Sequence, residues 1–390
     1  MAWATHMRLR VCLGLATGLV VSTMPAVNQV PVPGQGKAAA RQEPRPEETR
    51  PVFEFHNGFW INLHHFLYQQ ARILEQRPTS RTPVVEKAPE AAPSNIPVAA
   101  PAAVPARPPD ASQESAWQMA LNYYRRYLAG RDLVFSSDMV AIKNRLAELE
   151  HCPPSLGLSG TSNLACGVGL QAELVAVLDQ AAPIYLAYWW KEHDRANRQW
   201  IAQVTSLVRA HGAPLAERLA GVYQMPWPVG RIRVDVGIYA GPFGGYTTLD
   251  PLHVTIASTD PRNQGHAALE MLFHQASHGL AAPVADAIAR RCRALNKPIP
   301  RDLWHALLFY TTGEIVKRSL REAGSKSASE KDETSPAMQK PEECTPCADR
   351  YDLYARGWQA YRRLLVQHWQ PYLDGRIELE RAVARLVAAL

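Results

Sequence analysis

The stretch that most limits the possible folds is residues 231–258, where the hydrophobic pattern changes from a helical period to simple alternation. Every second residue is β-branched and apolar at Ile232, Val234, Val236 and Ile238. Such alternation is typical of a half-buried strand, and two shorter strand patterns follow at 246–249 and 252–258. From Ser115 onward the rest of the chain is dominated by helical periodicity. We therefore predict an α+β fold, mostly helical, with one small mixed β-sheet.

The first 26 residues have the features of a secretory signal peptide. Two arginines precede an apolar run from Val11 to Val21, and small residues follow near Ala26. The run is too short to span a bilayer, and no later stretch approaches about 18 uninterrupted apolar residues. We therefore predict a secreted or periplasmic protein with no transmembrane segment after removal of the signal.

Composition divides the remaining chain into ordered segments and linkers. Residues 27–50 and 77–113 are rich in proline, and they are predicted to form a disordered tether and a Pro/Ala-rich linker. The aromatic segment 51–76 lies between them. It is predicted to pack on the main body, because its apolar side chains cannot be stabilised alone. The further boundaries are 114–230 for a helical subdomain, 231–390 for a second subdomain, and about 324–349 for a disordered insertion in it.

The charged residues and the cysteines restrict the classes of partner and site. The formal net charge is +6, but the basic residues form no block, so no nucleic-acid partner is predicted. Cys152 and Cys166 flank a Pro/Gly/Ser-rich loop and are candidates for a disulfide in an oxidising compartment. Cys344 and Cys347 form a lone CxxC, for which a local disulfide or free thiols are as compatible as a zinc site.

Two histidines on one predicted helix, residues 265–280, are the strongest candidates for a metal site. His274 and His278 are four positions apart, so their imidazoles project from neighbouring turns of the same face. This is the spacing by which one helix supplies two nitrogen ligands to one zinc ion. Glu270, one turn before His274, is a candidate to orient that histidine from outside the ligand set.

A third ligand is expected from the next long helix, at about residues 301–322. Glu314 is the first candidate, because a carboxylate in the middle of an apolar helix is costly without a cation. His305, nine positions earlier and roughly on the opposite face, is the second. An ordinary ion pair between Glu314 and Lys317 or Arg318, in the next turn of the helix, remains an alternative to zinc binding. Tyr310 is a candidate to stabilise an oxyanion beside a metal. Three other histidines are predicted to be structural: His64, His65 and His193.

Strands followed by a His-x-x-x-His helix and a glutamate-bearing helix resemble the gluzincin branch of the zincin metallopeptidases. The resemblance covers about residues 231–322. An aromatic segment before a His-Glu-x-Ser-His-type helix also resembles uncharacterised exported bacterial proteins. The resemblance implies zinc on His274, His278 and Glu314, and an extended peptide or cell-envelope substrate. It places the strand at 252–258 along the substrate, at the edge of the sheet.

The sequence departs from this family at the residue after the first histidine. There the family has a glutamate that takes a proton from the attacking water, whereas this chain has Gln275, whose amide is not a usable base. We therefore expect a zincin-like metalloprotein in which hydrolysis is impaired. The alternatives are a non-catalytic peptide or cell-envelope binding protein on the same scaffold, and a helical structural protein whose histidines belong to the core.

Overall fold

The computed structural model describes residues 52–76, 110–154, 169–329, 346–350, 354 and 358–390, and all structural statements refer to these residues. The strands are β1 (Phe53–His56), β2 (Ile232–Gly237), β3 (Gly245–Leu249) and β4 (Leu252–Ala257). The first eight helices are α1 (Phe59–Gln76), α2 (Ala111–Tyr127), α3 (Ser137–Glu148), α4 (Ala172–Tyr185), α5 (Lys191–Tyr223), α6 (His266–Ser277), α7 (Ala282–Ala294) and α8 (Leu303–Ser329). The remaining helices are α9 (Cys347–Arg350), α10 (Gln359–Leu364), α11 (Gln370–Leu373) and α12 (Leu379–Ala388). The predicted mostly helical α+β class with a small mixed sheet is confirmed.

The four strands form one sheet in the order β1-β2-β4-β3. β1 and β4 each pair with β2 in parallel, and β3 pairs with β4 antiparallel. The aromatic segment therefore contributes a strand to the sheet, with Phe53 opposite Ile232. The expectation that residues 252–258 form the edge strand is wrong, because the short β3–β4 turn places β3 outside β4.

The sheet separates two hydrophobic cores. Val234, Val254 and Ile256 point to one side and pack with α5, α6 and α8, whereas Tyr246 points to the other side and packs with α1, α2 and α4. Because α5 shares its core with the helices that follow the sheet, the cores follow the two sheet faces and do not divide at residue 230. This arrangement places α6 directly under β3 and β4 and beside α8.

Several boundaries differ from the sequence-based ones for local reasons. α2 begins at Ala111, because Asp110 and Gln113 form a reciprocal capping box inside the expected linker. α8 continues to Ser329, into the expected insertion. α4 contains Pro183 and continues through a π-helical turn at Leu186–Trp190 into α5.

The predictions for residues 1–50, 77–109 and 330–345 concern parts of the chain outside the described residues. Cys152 is disulfide-bonded, and its expected partner, Cys166, is also outside them. No described helix has the length and apolar character needed to cross a membrane.

Two of the other histidines occupy the core as neutral side chains. His65 Nδ1 donates to the Ile61 carbonyl oxygen, and its Nε2 lies 2.8 Å from the Tyr246 hydroxyl. His193 Nδ1 lies 2.8 Å from the Tyr185 hydroxyl. Burial is the main cause that lowers the pKa of His65 and of His193 to about 4.

We expect the protein to lose stability as pH falls from about 6.5 towards 4. In that interval the unfolded chain binds protons at His65 and His193 that the folded chain excludes, so lowering the pH favours unfolding. Each of these two histidines should lower the free energy of unfolding by about 2 kcal/mol when the pH falls from 7 to 5. Urea unfolding at both pH values, with a chelator present, measures the loss. His193→Phe should reduce it, and the exposed His266→Gln should not. Equal losses in all three proteins would contradict the assignment.

Candidate metal centre

Three histidine side chains, from α6, the residue directly after it and α8, come together where these two helices pack. His274, His278 and His305 each offer a ring nitrogen, and these three atoms all lie within 4.8 Å of one another. Gly265, whose φ of +54° suits glycine, is the N-cap of α6. His274 in the helix and His278 at its C-cap, which keeps helical backbone angles, lie on one face. His305 lies in the first turn of α8, which packs against α6. Three histidines are therefore close enough to bind a metal ion.

The imidazoles pack against one another and against aromatic side chains. The ring centroids of His274 and His278 are 5.1 Å apart, and that of His305 lies 5.4 and 5.2 Å from them. Phe309 stacks on His274 with a centroid distance of 3.8 Å, and Trp304 stacks on His305 at 5.1 Å. Trp358 contacts the His305 ring at 5.3 Å. These ring contacts restrict the rotation of the imidazoles, of which His274 is buried and His278 and His305 are partly exposed.

The His274 side chain is buried without the hydrogen bonds that a buried imidazole normally makes. It is 1% exposed, and neither Nδ1 nor Nε2 has a hydrogen-bond partner. Burial and then the neighbouring His278 and His305 hold the pKa of His274 well below its usual range. Burial, with His305 as the second cause, lowers the pKa of His278 to about 3. Both rings are neutral at pH 7, which is the form that binds a metal.

The donor set fits a zinc ion. Neutral imidazole nitrogen is a preferred zinc ligand, and three protein ligands leave a fourth position for another molecule. A cation would also satisfy one of the unpartnered nitrogens of His274, whose desolvation is otherwise uncompensated. No carboxylate belongs to the group among the described residues, so the ligands would not neutralise the metal charge.

Glu314, the first candidate for the third ligand, lies elsewhere. Its carboxylate forms an ion pair with Lys317 at 3.2 Å, and its side chain is 22% exposed. Nine positions along a helix correspond to about 13.5 Å and half a turn away from His305. The expected cost of an uncompensated buried carboxylate therefore does not arise. His305, the second candidate, takes the place that the sequence reasoning gave to Glu314.

Two other candidate residues face neighbouring elements. Glu270 is 5% exposed, and its Oε1 lies 3.2 Å from the position that a Cβ on Gly313 of α8 would occupy. It is not a member of the histidine group. The Tyr310 hydroxyl donates to Gln370 Oε1 at 2.6 Å, which ties α8 to α11. The hydrogen bond gives Tyr310 a role in holding α8 to α11, and Glu270 lies close to the backbone of α8 at Gly313.

Gln275 joins α6 to the edge strand. Its Oε1 accepts a hydrogen bond of 2.8 Å from the Thr247 hydroxyl in β3, and its Nε2 lies 3.7 Å from Met271 Sδ. The Thr247 hydroxyl is also 2.9 Å from the Gln275 carbonyl oxygen. The residue that follows the first histidine is therefore buried against the sheet at 5% exposure.

Sequence reasoning did not identify the aromatic residues of the site. Phe309 follows His305 by four positions, so helical spacing alone places its ring on the same face. Trp304 is adjacent to His305 in sequence. Trp358 comes from a distant segment, and no local pattern indicates its position over the site.

No protein-family model, curated protein or solved structure matches this chain. Assignment of the centre therefore depends on the geometry and chemistry of its residues.

Proposed function

We propose that this chain is an exported zincin-like metalloprotein, related to zinc metallopeptidases, in which His274, His278 and His305 hold one zinc ion. The observation that carries the proposal is the pair of buried, unpartnered nitrogens of His274 beside two further imidazoles. A buried imidazole with no partner loses the hydrogen bonds that it makes in water, and a metal bond replaces one of them.

The side chains around the centre suit the binding and orientation of a ligand in a partly buried site. A zinc ion held there would supply Lewis-acid polarisation of a carbonyl group bound at its fourth position. Phe309 stacks on the His274 ring and Trp304 on the His305 ring, which fixes the planes of these two imidazoles. Trp358 also packs against the His305 ring. Among the described residues β3 forms one edge of the sheet, beside α6, and an extended peptide or cell-envelope component is the proposed partner.

Gln275 limits the chemistry. Its amide cannot take a proton from an attacking water, so a general base is missing at the position where the zincin family has one. We therefore expect hydrolysis to be impaired by about 10²–10⁴. The second candidate function is a non-catalytic protein that binds the same partner. It is favoured by the hydrogen bond between Gln275 and Thr247, which gives the amide a structural role.

We expect the purified full-length chain to contain about one zinc ion and His274→Ala to contain none. Elemental analysis measures the metal content, and thermal unfolding with added zinc or a chelator measures the linked stabilisation. At a free zinc concentration of 100 times Kd, stability should rise by about 2.7 kcal/mol.

His266→Ala is the matched control, because His266 is exposed at the start of the same helix. It should retain the metal. A wild-type chain that contains no metal, and whose unfolding does not respond to added zinc, would exclude the proposed centre and support histidines that belong to the core.

A further inference from the structure

A second group of ionisable side chains is buried on the sheet face opposite α6. It consists of Lys143 from α3, Asp235 from β2, and Thr248 and His253 from the β3–β4 hairpin. Lys143 and Asp235 are each 1% exposed, and the other two are each 3% exposed. Lys143 is the one member that comes from outside the sheet, so it connects α3 to the hairpin.

The carboxylate of Asp235 is fully engaged by other groups. It accepts hydrogen bonds from His253 Nε2 and from Arg233, whose Nη2 lies 2.9 Å away. Burial alone would raise the pKa of Asp235, but the bond from His253 and the charge of Arg233 hold it below its usual value. Arg233 also lies 3.2 Å from Glu150, a partly exposed residue that pairs with His56. The buried negative charge therefore already has a cationic partner.

Lys143 lacks such a partner. Its Nζ is hydrogen-bonded to the Thr248 hydroxyl, and among the described residues no ion pair joins it to Asp235 or to any other carboxylate. An ammonium group has three donors, so in this place it would bury an unmatched charge and two unmet donors. A neutral amine carries no charge and has one donor fewer than the ammonium, so only one donor stays without a partner.

The other groups that face Lys143 supply no negative charge. His65 from α1 is a neutral imidazole bonded to the Tyr246 hydroxyl of β3. Burial raises the pKa of Tyr246, so its phenol is uncharged at neutral pH. Burial also outweighs the effect of Asp235 and lowers the pKa of His253, so this ring is neutral too. Protonation of Lys143 would therefore leave a net positive charge in the core.

We propose that Lys143 is a proton-operated latch, in which the neutral amine holds α3 on the sheet and uptake of a proton loosens this contact. Desolvation by burial is the main cause that lowers the pKa of Lys143 to about 7; the charge of Asp235 acts in the opposite direction, and that of Arg233 adds to the lowering. Thr248 is adjacent to Thr247, which binds Gln275 on the other sheet face. The latch therefore acts on the edge strand that also contacts α6.

Urea unfolding of the full chain between about pH 7.5 and 8.5, below the range in which unfolded tyrosines titrate, tests the latch. In this interval the unfolded chain binds a proton at Lys143 that the folded chain excludes, so stability rises with pH. The unfolding constant should fall about tenfold per pH unit, and Lys143→Met should remove this dependence. Histidines do not contribute, because they are neutral in both states at these pH values. Burial raises the pKa of the free thiol of Cys292, which would lower stability as pH rises, so all proteins compared carry Cys292→Ala. Lys191→Met, an exposed lysine of α5, should keep the wild-type slope.

The same pH slope in Lys143→Met and in the wild type would overturn the proposal. If that variant does not fold, NMR of wild-type protein labelled at the lysine Cε atoms gives a direct measurement. One lysine resonance should titrate near pH 7, and titration of every lysine above about pH 9.5 would overturn the proposal.

Discussion

Replacing His305 with alanine is expected to weaken zinc binding by more than about 100-fold, whereas Glu314→Ala should leave it within about twofold of the wild type. The first change removes one of three nitrogen donors that lie within 4.8 Å of one another. The second removes only a partly exposed partner of Lys317, and such ion pairs contribute little to stability. Competition with a chromophoric zinc chelator at pH 7.5 measures both affinities.

Two controls separate loss of a ligand from loss of the fold. Circular dichroism should show the same helix content in both variants. His305→Phe keeps an aromatic ring between Trp304 and Phe309 but offers no nitrogen, so it should lose zinc as His305→Ala does. If Glu314→Ala lost zinc and His305→Ala kept it, the third ligand would be Glu314, as the gluzincin resemblance implies. The proposed set of three histidine ligands would then be wrong.

The choice between His305 and Glu314 illustrates which part of the site can be predicted from the sequence. Helical arithmetic places His305 and Glu314 on opposite faces of α8, so only one of them can meet α6. It does not reveal which face packs on α6, because that depends on side chains from distant segments, such as Trp358 and Trp369. The assumption that Glu314 needs a cation in a buried site favoured the wrong residue, since its side chain is partly exposed and pairs with Lys317.

The strands show the same difference between local features, which the sequence predicts, and non-local features, which it does not. Alternation of apolar residues located β2 and β4 correctly, because the period of a strand is a local property of the sequence. The order of the strands is not local, and the parallel pairing of Phe53 with Ile232 connects segments at the two ends of the helical region. The buried ionisable group around Lys143 was not predicted either, because a lysine on an amphipathic helix normally indicates the exposed side.

Gln275→Glu is expected to raise peptide hydrolysis by about 10²–10⁴ over the wild type at equal zinc content. The two side chains have nearly the same shape, so the glutamate can keep the hydrogen bond from Thr247, at 2.8 Å in the wild type. Burial at this position favours a raised carboxylate pKa, which suits a base that works near neutral pH. Cleavage of a quenched fluorescent peptide library, followed as a function of pH, measures the gain.

Gln275→Met is the matched control for this substitution, since it fills the same space beside Met271 and provides no base. It should bind zinc and show no gain in hydrolysis. A rate that rises with pH in Gln275→Glu, and in neither the wild type nor Gln275→Met, would identify the new carboxylate as the base. The gain of function would be excluded if Gln275→Glu bound zinc and folded normally but cleaved no faster than the wild type. The missing base would then not be what limits hydrolysis, and a non-catalytic peptide-binding protein would be favoured over an impaired peptidase.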